Sequence, residues 1–339
     1  MSRRDRLASL LEKGFTLLEE GDLPAAGRQL ELAQKIDPKD PDVVMLDADL
    51  AALSGDVERA LELYEVVIEA RPDDPMPLIS AADVYLYSLD EPEPALAAAD
   101  RALDLVDSED EILAVTLVRA DALIALERMD EARETLQQLP MGVLDDPGTV
   151  LHVAEASLAA GDRERASRWI EPMLDDATHG AEAWYLLGAI REDADDRPGM
   201  IAAWQEVRRR DAAEPAPPWH LSGDDLERIA QAAFDELPDG VRERLKDVPI
   251  LIDDLPSEEM VADGLDPRLL GLFQGTPMPE ESSVGGAPSV TNIHLFQRNL
   301  ERMTDDPEEL AEEIRITVLH ETAHFFGLDD AALDELGLG

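Results

Sequence analysis

The sequence predicts a two-part molecule. An all-α superhelix of stacked helical hairpins covers residues 1–212, a proline-rich linker covers 213–221, and a small α+β domain covers 222–339. Three observations predict this. Small residues recur at a nearly constant period through the first two thirds. Pro215, Pro217 and Pro218 then break the helical pattern with a short stiff segment. Beyond them, short apolar runs bounded by proline, glycine and acidic residues precede one long amphipathic stretch.

The hairpins come first. Aligned on the small residue that opens each second helix, Ala26, Ala60, Ala95, Ala132, Ala166 and Met200 stand 34, 35, 37, 34 and 34 residues apart. A period near that length is one helix–turn–helix unit, which cannot bury its apolar face alone and therefore stacks on its neighbours. Turn sequences recur as Gly21-Asp22, Gly55-Asp56 and Gly161-Asp162, and Pro38 and Pro72 close the first two hairpins. The third and fourth units lack both marks, and the 37-residue interval implies a small insertion around Asp107 to Glu111. Six hairpins are expected. Gly14 and Gly188 occupy a small position of the first helix, Trp184, Leu187 and Gly188 spell W-x-x-L-G, and Tyr64 and Trp204 fill a large position of the second helix. This resembles the tetratricopeptide repeat family, which implies a concave surface for a peptide or a protein partner. A rigid spacer, or a packing partner for the domain that follows, is the alternative. His152 and His179 read as surface or packing residues.

After the linker, where Trp219 and His220 are placed to dock on one domain or the other, Ser222 caps a helix through Leu237. Its Leu226, Ile229, Ala230, Ala233, Phe234 and Leu237 share one face. Pro238-Asp239-Gly240 stops it, and Val241 to Leu245 adds a short helical turn. Val248 to Ile252 reads as a buried strand, Leu269 to Gln274 as a second, and Asn292 to Arg298 as a third, with His294 and Phe296 on one face and Ile293 and Leu295 on the other. Thr304, Asp305 or Asp306 caps the long helix, Pro307 takes its first position, and Glu308 and Glu309 complement its dipole. Leu310, Ile314, Thr317 and Val318 form the apolar face leading to His320. A last short helix is expected over residues 331–336.

The chemistry sits in the segment from His320 to Asp330. Residues four apart on a helix share a face, so His320 and His324 can offer two imidazoles to one ion. Glu321 lies on the flank of that face, in reach of a metal-bound water without taking a coordination position, which is the place of a general base. A catalytic zinc takes three protein ligands and keeps one position open. Gly327 can end the helix with positive φ and turn the chain back. Asp330, ten residues after His320, then stands where the metzincin pattern H-E-x-x-H-x-x-G-x-x-H carries its third ligand. The cofactor expected is Zn2+. The chain has no cysteine, so His and Asp/Glu are its only strong zinc ligands and a reducing compartment suits it.

Composition excludes other classes. Acidic residues number 77 against 29 basic, a formal net charge of −48, which argues against nucleic acid and anionic membrane as partners. Only four basic residues are lysines. Such a surface fits a salty cytoplasm, selection of cationic partners, or simply a solvated surface from a GC-rich genome. No uninterrupted apolar run is long enough to cross a bilayer, and the first residues do not form a cleavable leader, so a cytoplasmic location is expected.

The last third resembles a compact group of bacterial zincin-like metallopeptidases. The resemblance spans roughly residues 220–339 and rests on L-P-D-G-V-R-E-R-L, V-P-I-L-I-D-D, L-L-G-L-F-Q-G, N-I-H-L-F-Q-R-N-L-E-R and, most specifically, V-L-H-E-T-A-H-F-F-G-L-D-D. It implies His320, His324 and Asp330 as zinc ligands and Glu321 as catalytic base in peptide-bond hydrolysis by zinc-activated water. Nine residues follow Asp330, so no methionine turn is expected and extended protein substrates should bind poorly. His294 is the candidate for substrate contact, and its strand could pair with an extended substrate. Gly285-Gly286 reads as a flexible connection or a mobile rim. The alternative function is a repeat adaptor carrying a structural or inactive zincin-like domain.

Overall fold

The structure is a computed structural model. It describes residues 2–139, 144, 146–235, 237, 242–243, 248–274 and 292–325, the side chains of 323–325 excepted. The chain forms two compact units, Met1–Met173 and Leu174–Gly339.

Among the described residues the first unit holds five helical hairpins. They pair α1 (Arg3–Glu19) with α2 (Leu23–Gln34), α3 (Pro41–Leu53) with α4 (Val57–Ala70), and α5 (Met76–Asp83) with α6 (Pro92–Leu103). The last two pair α7 (Glu109–Ala125) with α8 (Met129–Leu136) and α9 (Pro147–Ala159) with α10 (Arg163–Ile170). The aligned alanines Ala26, Ala60, Ala95, Ala132 and Ala166 are each 0% exposed, because a small side chain lets the two helices of a hairpin approach. At Gly14 even a methyl group would stand 2.6 Å from Leu46 Cδ2.

The units that lack turn glycines keep the turn itself. Gly21, Gly55 and Gly161 have φ of 75°, 80° and 77°, and Asp90 and Glu127 take the same left-handed conformation at 54° and 58°. For a side chain that geometry costs about 1 kcal/mol, which packing of the hairpin overrides. The interval irregularities have addresses too. Asp49 precedes Ala60 by 11 residues, whereas Asp83 precedes Ala95 by 12. A π-helical turn at Val84–Ser88 absorbs the extra residue. The expected insertion is the turn after α6, which closes in a capping box between Ser108 and Glu111.

The second unit opens with a sixth hairpin, α11 (Gly180–Asp193) and α12 (Arg197–Ala213), where the indole of Trp204 lies against Gly188. Ser222 caps α13 (Gly223–Asp235) by accepting the Asp225 N–H at 3.2 Å. A three-stranded sheet follows in the order β1 (Ile250–Asp253), β3 (Asn292–Phe296), β2 (Gly271–Gln274). The first pair is parallel and the second antiparallel. Short helices α14 (Glu258–Ala262) and α15 (Gln297–Arg302) and the long α16 (Pro307–Phe325) complete the described chain. The core joins Leu226 of α13, Ile293 and Leu295 of β3, Leu300, and Leu310, Ile314 and Val318 of α16. Each fully buried aliphatic side chain stabilises by about 1.5–3 kcal/mol.

A polar network holds the sixth hairpin within this unit. Asp211, 0% exposed, meets Arg268 and Arg302, each at 3.1 Å. Arg268 also reaches Glu182 at 3.3 Å and lies over the Tyr185 ring at 5.1 Å, and the Tyr185 hydroxyl donates to Asp266 at 2.7 Å. The linker docks here as well. Trp219 packs on the core, and His220 Nδ1 meets Glu301 at 2.8 Å.

Three expectations change. The run Val248–Ile252 is not a buried strand: β1 is an edge strand that begins at Ile250, and Leu251 is 38% exposed. The third strand ends at Phe296, because Gln297 to Arg302 are helix formers and Gln297 donates to Glu301 at 2.7 Å one turn on. That strand lies in the middle of the sheet with a partner on each side, so it cannot receive an added strand. No helix among the described residues is long and apolar enough to cross a membrane. The stop at residues 238–240, most of the turn over 241–245, Gly285-Gly286 and the closing helix fall outside the described residues.

Candidate metal centre

The long helix starts where the sequence places it. Asp306 accepts the N–H groups of Glu308 at 2.7 Å and Glu309 at 3.0 Å, satisfying donors that an α-helix start leaves open. Its buried stripe runs Leu310, Ile314, Thr317, Val318 and Glu321. Glu321 at 6% exposure and Thr322 at 4% close its described part, and His320 is half-buried.

A carboxylate at the end of an apolar stripe needs a donor. Strand β2 supplies one: the Phe273 N–H donates to Glu321 Oε2 at 2.5 Å. The sheet register explains why that N–H is available. Phe296 N–H donates to Leu270 O, which makes 270/296 a hydrogen-bonded pair, and alternation leaves the groups of Gly271 and Phe273 pointing away from β3. Gly271 permits the close approach. A Cβ there would stand 2.6 Å from Thr317 Cγ2 and 3.0 Å from Glu321 Cγ.

His324 lies one turn after His320 within the same helix, so the backbone brings the two positions to one face with Glu321 between them in sequence. The side chain of His324, and Gly327 and Asp330 altogether, lie outside the described residues. Among the described residues no three metal-ligating side chains come together. The part of the donor set that is described fits a zinc site. Two imidazole positions are four apart on one helix, and the intervening carboxylate accepts a backbone N–H.

His294 stands elsewhere. Ile293 and Leu295 face α16, so alternation puts His294 on the opposite face of the sheet. There it is 7% exposed, with Nδ1 on Asp253 at 2.9 Å and its ring 6.2 Å from that of Phe296. The structure does not bring it to Glu321. What residue patterns missed is the backbone donor of Phe273 and the role of Gly271. The glycine inside L-L-G-L-F-Q-G was the signal available, but only the sheet register shows which N–H groups face outward.

Comparison with known proteins supports both parts. A sequence-family profile for zincin-like metallopeptidases matches residues 245–339, and one for tetratricopeptide repeats matches residues 17–78. The chain therefore carries a tetratricopeptide-repeat region followed by a zincin-like metallopeptidase domain. Among solved structures, PilW, a type IV pilus biogenesis factor, aligns at 14% identity with a TM-score of 0.53, covering 61% of this chain and 94% of that one. The pilF protein of Pseudomonas aeruginosa aligns at 16% identity with a TM-score of 0.50, covering 63% and 96%. At such identities the likeness is one of fold. The search of curated proteins returned no match.

Proposed function

We propose that this protein is a zinc-dependent metallopeptidase whose repeat region, residues 1–212, recruits a peptide or protein to the zincin-like domain, residues 222–339. The observation that carries the reading is Glu321, buried one residue from His320 and oriented by the Phe273 N–H. His320, His324 and Asp330 would hold the ion, which supplies Lewis acidity toward a substrate carbonyl. Glu321 takes the proton of the attacking water and returns it to the leaving amine. Its backbone tether keeps the carboxylate aimed while the proton moves. His294 has no part in this reading. A cysteine-free, strongly acidic chain suits a reducing cytoplasm.

Metal analysis of the purified protein, paired with digestion of a peptide library, tests it. About one zinc per chain is expected, lost in His320→Ala and kept in Glu321→Gln. Hydrolysis should fall by roughly 10²–10⁴ in Glu321→Gln, the range for removal of a general base. Zinc retained with no hydrolysis in the unaltered protein would sink the peptidase and leave a repeat adaptor with a structural metal.

A further inference from the structure

Two adjoining cavities open on the first helices of the first unit. One, of about 450 Å³, touches Leu53, Asp49, Asp83 and Tyr64; the other, of about 440 Å³, touches Asp121, Ile124, His152 and Glu155; Tyr87 borders both. Five acidic residues line this groove, Glu19 at one end and four more in register. Asp49, Asp83, Asp121 and Glu155 follow one another at 34, 38 and 34 residues, one on each of α3, α5, α7 and α9. The longer middle step equals the common period plus the π-turn residue and the inserted turn.

Among the described lining residues there is no lysine or arginine, and no arginine pairs with Asp49, Asp83 or Glu155. Their local partners are neutral hydroxyls and one imidazole. The Tyr64 hydroxyl donates to Asp49 at 2.9 Å, the Tyr87 hydroxyl donates to Asp121 at 2.5 Å, and His152 Nε2 lies 2.6 Å from Asp121. Between the carboxylates the walls are apolar and open: Leu53 is 57% exposed and Tyr87 60%. Crowding by these walls pushes Asp49 and Asp83 up to about 6 and raises Glu155 as well. Carboxylates on the outer helices are instead fully solvated or tied to arginine, as Glu131 is by Arg128 and Asp130 by Arg133.

We propose that this groove receives an extended segment of a partner protein that bears arginine or lysine at about every third residue. Its cations would meet Asp49, Asp83, Asp121 and Glu155, and its apolar side chains would meet Leu53 and Tyr87. The spacing selects this occupant. Packed helices lie about 8–10 Å apart, which is roughly three residues of extended chain. The same spacing is too wide for the carboxylates to share one metal ion, whose oxygen ligands lie within about 2.6 Å of it. Charge complementarity then decides the sign of the partner. The inference rests on the repeat region being a recruiting surface and is independent of hydrolysis.

The test uses the full-length protein and labelled synthetic peptides: a repeated Arg-Leu-Ala sequence, its Glu-Leu-Ala counterpart, and a neutral Gln-Leu-Ala version. The arginine peptide should bind tightest. Asp83→Asn with Asp121→Asn should weaken it about tenfold, and Glu62→Gln with Asp130→Asn, the same charge change on outer helices, by less than about twofold. Equal weakening by both pairs would show only diffuse surface charge and overturn the proposal. Binding of the neutral or acidic peptide as tightly as the arginine one would also overturn it, while leaving a recruiting surface of another specificity.

A pH series on the unaltered protein covers the case of a variant that fails to fold. Arginine does not titrate, so affinity should fall severalfold from about pH 7 to about pH 5 as Asp49 and Asp83 protonate. His152, raised by its bond to Asp121, favours its charged form and so opposes a cationic partner. Glu155, also raised, adds to the loss, and the neighbouring hydroxyls of Tyr64 and Tyr87 stay protonated throughout. A flat series would overturn the proposal.

Discussion

The two compact units place their acid differently. In Met1–Met173, Asp49 is half-buried and Asp83 and Glu155 are exposed along the groove, with no lysine or arginine among the described lining residues, whereas the buried Asp47 is paired with Arg59 at 2.5 Å. In Leu174–Gly339, Asp211 is 0% exposed yet meets Arg268 and Arg302, and Glu301 is held by His220 and Gln297. The contrast follows from topology. Stacked hairpins are held by contacts between neighbouring helices, so their polar side chains are not needed for long-range order. In the second unit a polar network also joins segments far apart in sequence, spanning 57 residues from Asp211 to Arg268 and 81 from Tyr185 to Asp266. The groove acids of the first unit are available surface, whereas the buried acids of the second are architecture.

The largest expected effect comes from cutting that architecture. A fragment beginning at Leu174 keeps Glu182, Tyr185 and Asp211 and should melt cooperatively. One beginning at Ala213 loses all three, together with the Met200 and Trp204 side chains packed on Val261, and should not. Arg268→Met in the full chain isolates the charge, and should destabilise the second unit by about 3 kcal/mol because Asp211 stays buried with one cation where it had two. Urea melts measure both. An Arg268→Met cost below about 0.5 kcal/mol would erase the distinction between the units.

Glycines sharpen the comparison at a smaller scale. At Gly271 a methyl group would overlap Thr317 and press on Glu321, so Gly271→Ala should cost about 1–3 kcal/mol and lower hydrolysis by shifting the base. At Gly27, within α2, the same methyl meets Leu50 Cδ2 at 3.6 Å, an ordinary contact, so Gly27→Ala should stabilise the first unit by about 0.5–1 kcal/mol. Opposite signs in thermal melts are the expected outcome. A shared sign would mean that β2 yields to α16 without penalty.

What the sequence showed follows the same division. The hairpins were legible because each repeats the same local instruction, and even units without a turn glycine reuse the turn at Asp90 and Glu127. The start of α16 was legible from Asp306 and Pro307, since a cap acts over three residues. The end of β3 was not, because alternation through Phe296 runs straight into helix formers and only the fold decides where one gives way to the other. Nor was the Phe273 donor, which depends on which edge groups a neighbouring strand leaves free. His294, picked out by residue type, proved to face away from α16 for the same reason: alternation is visible in sequence, but which face meets that helix is not.

The smallest effect, and the most direct reading of the contrast, is pH. Asp49 and Asp83 have folded-state pKa values raised to about 6 by desolvation, above those of an unfolded aspartate. Such groups bind protons more tightly when folded, so their contribution is present below the unfolded pKa and lost as pH rises through the folded one. His152 and Glu155, both raised, act in the same direction. The first unit should therefore gain stability as pH falls from about 7 to about 5. The second unit holds Glu206 the other way, lowered to about 2 by Arg209 and Arg210. Its contribution is present above the unfolded value and is lost only as pH falls toward 2. Calorimetry across this range should show the transition of the first unit rising while that of the second holds. Asp49→Asn with Asp83→Asn should flatten the first and leave the second untouched. If both transitions moved together with pH in the unaltered protein, the groove carboxylates would not be the groups that titrate, and the division of roles between the two units would fail at its chemical root.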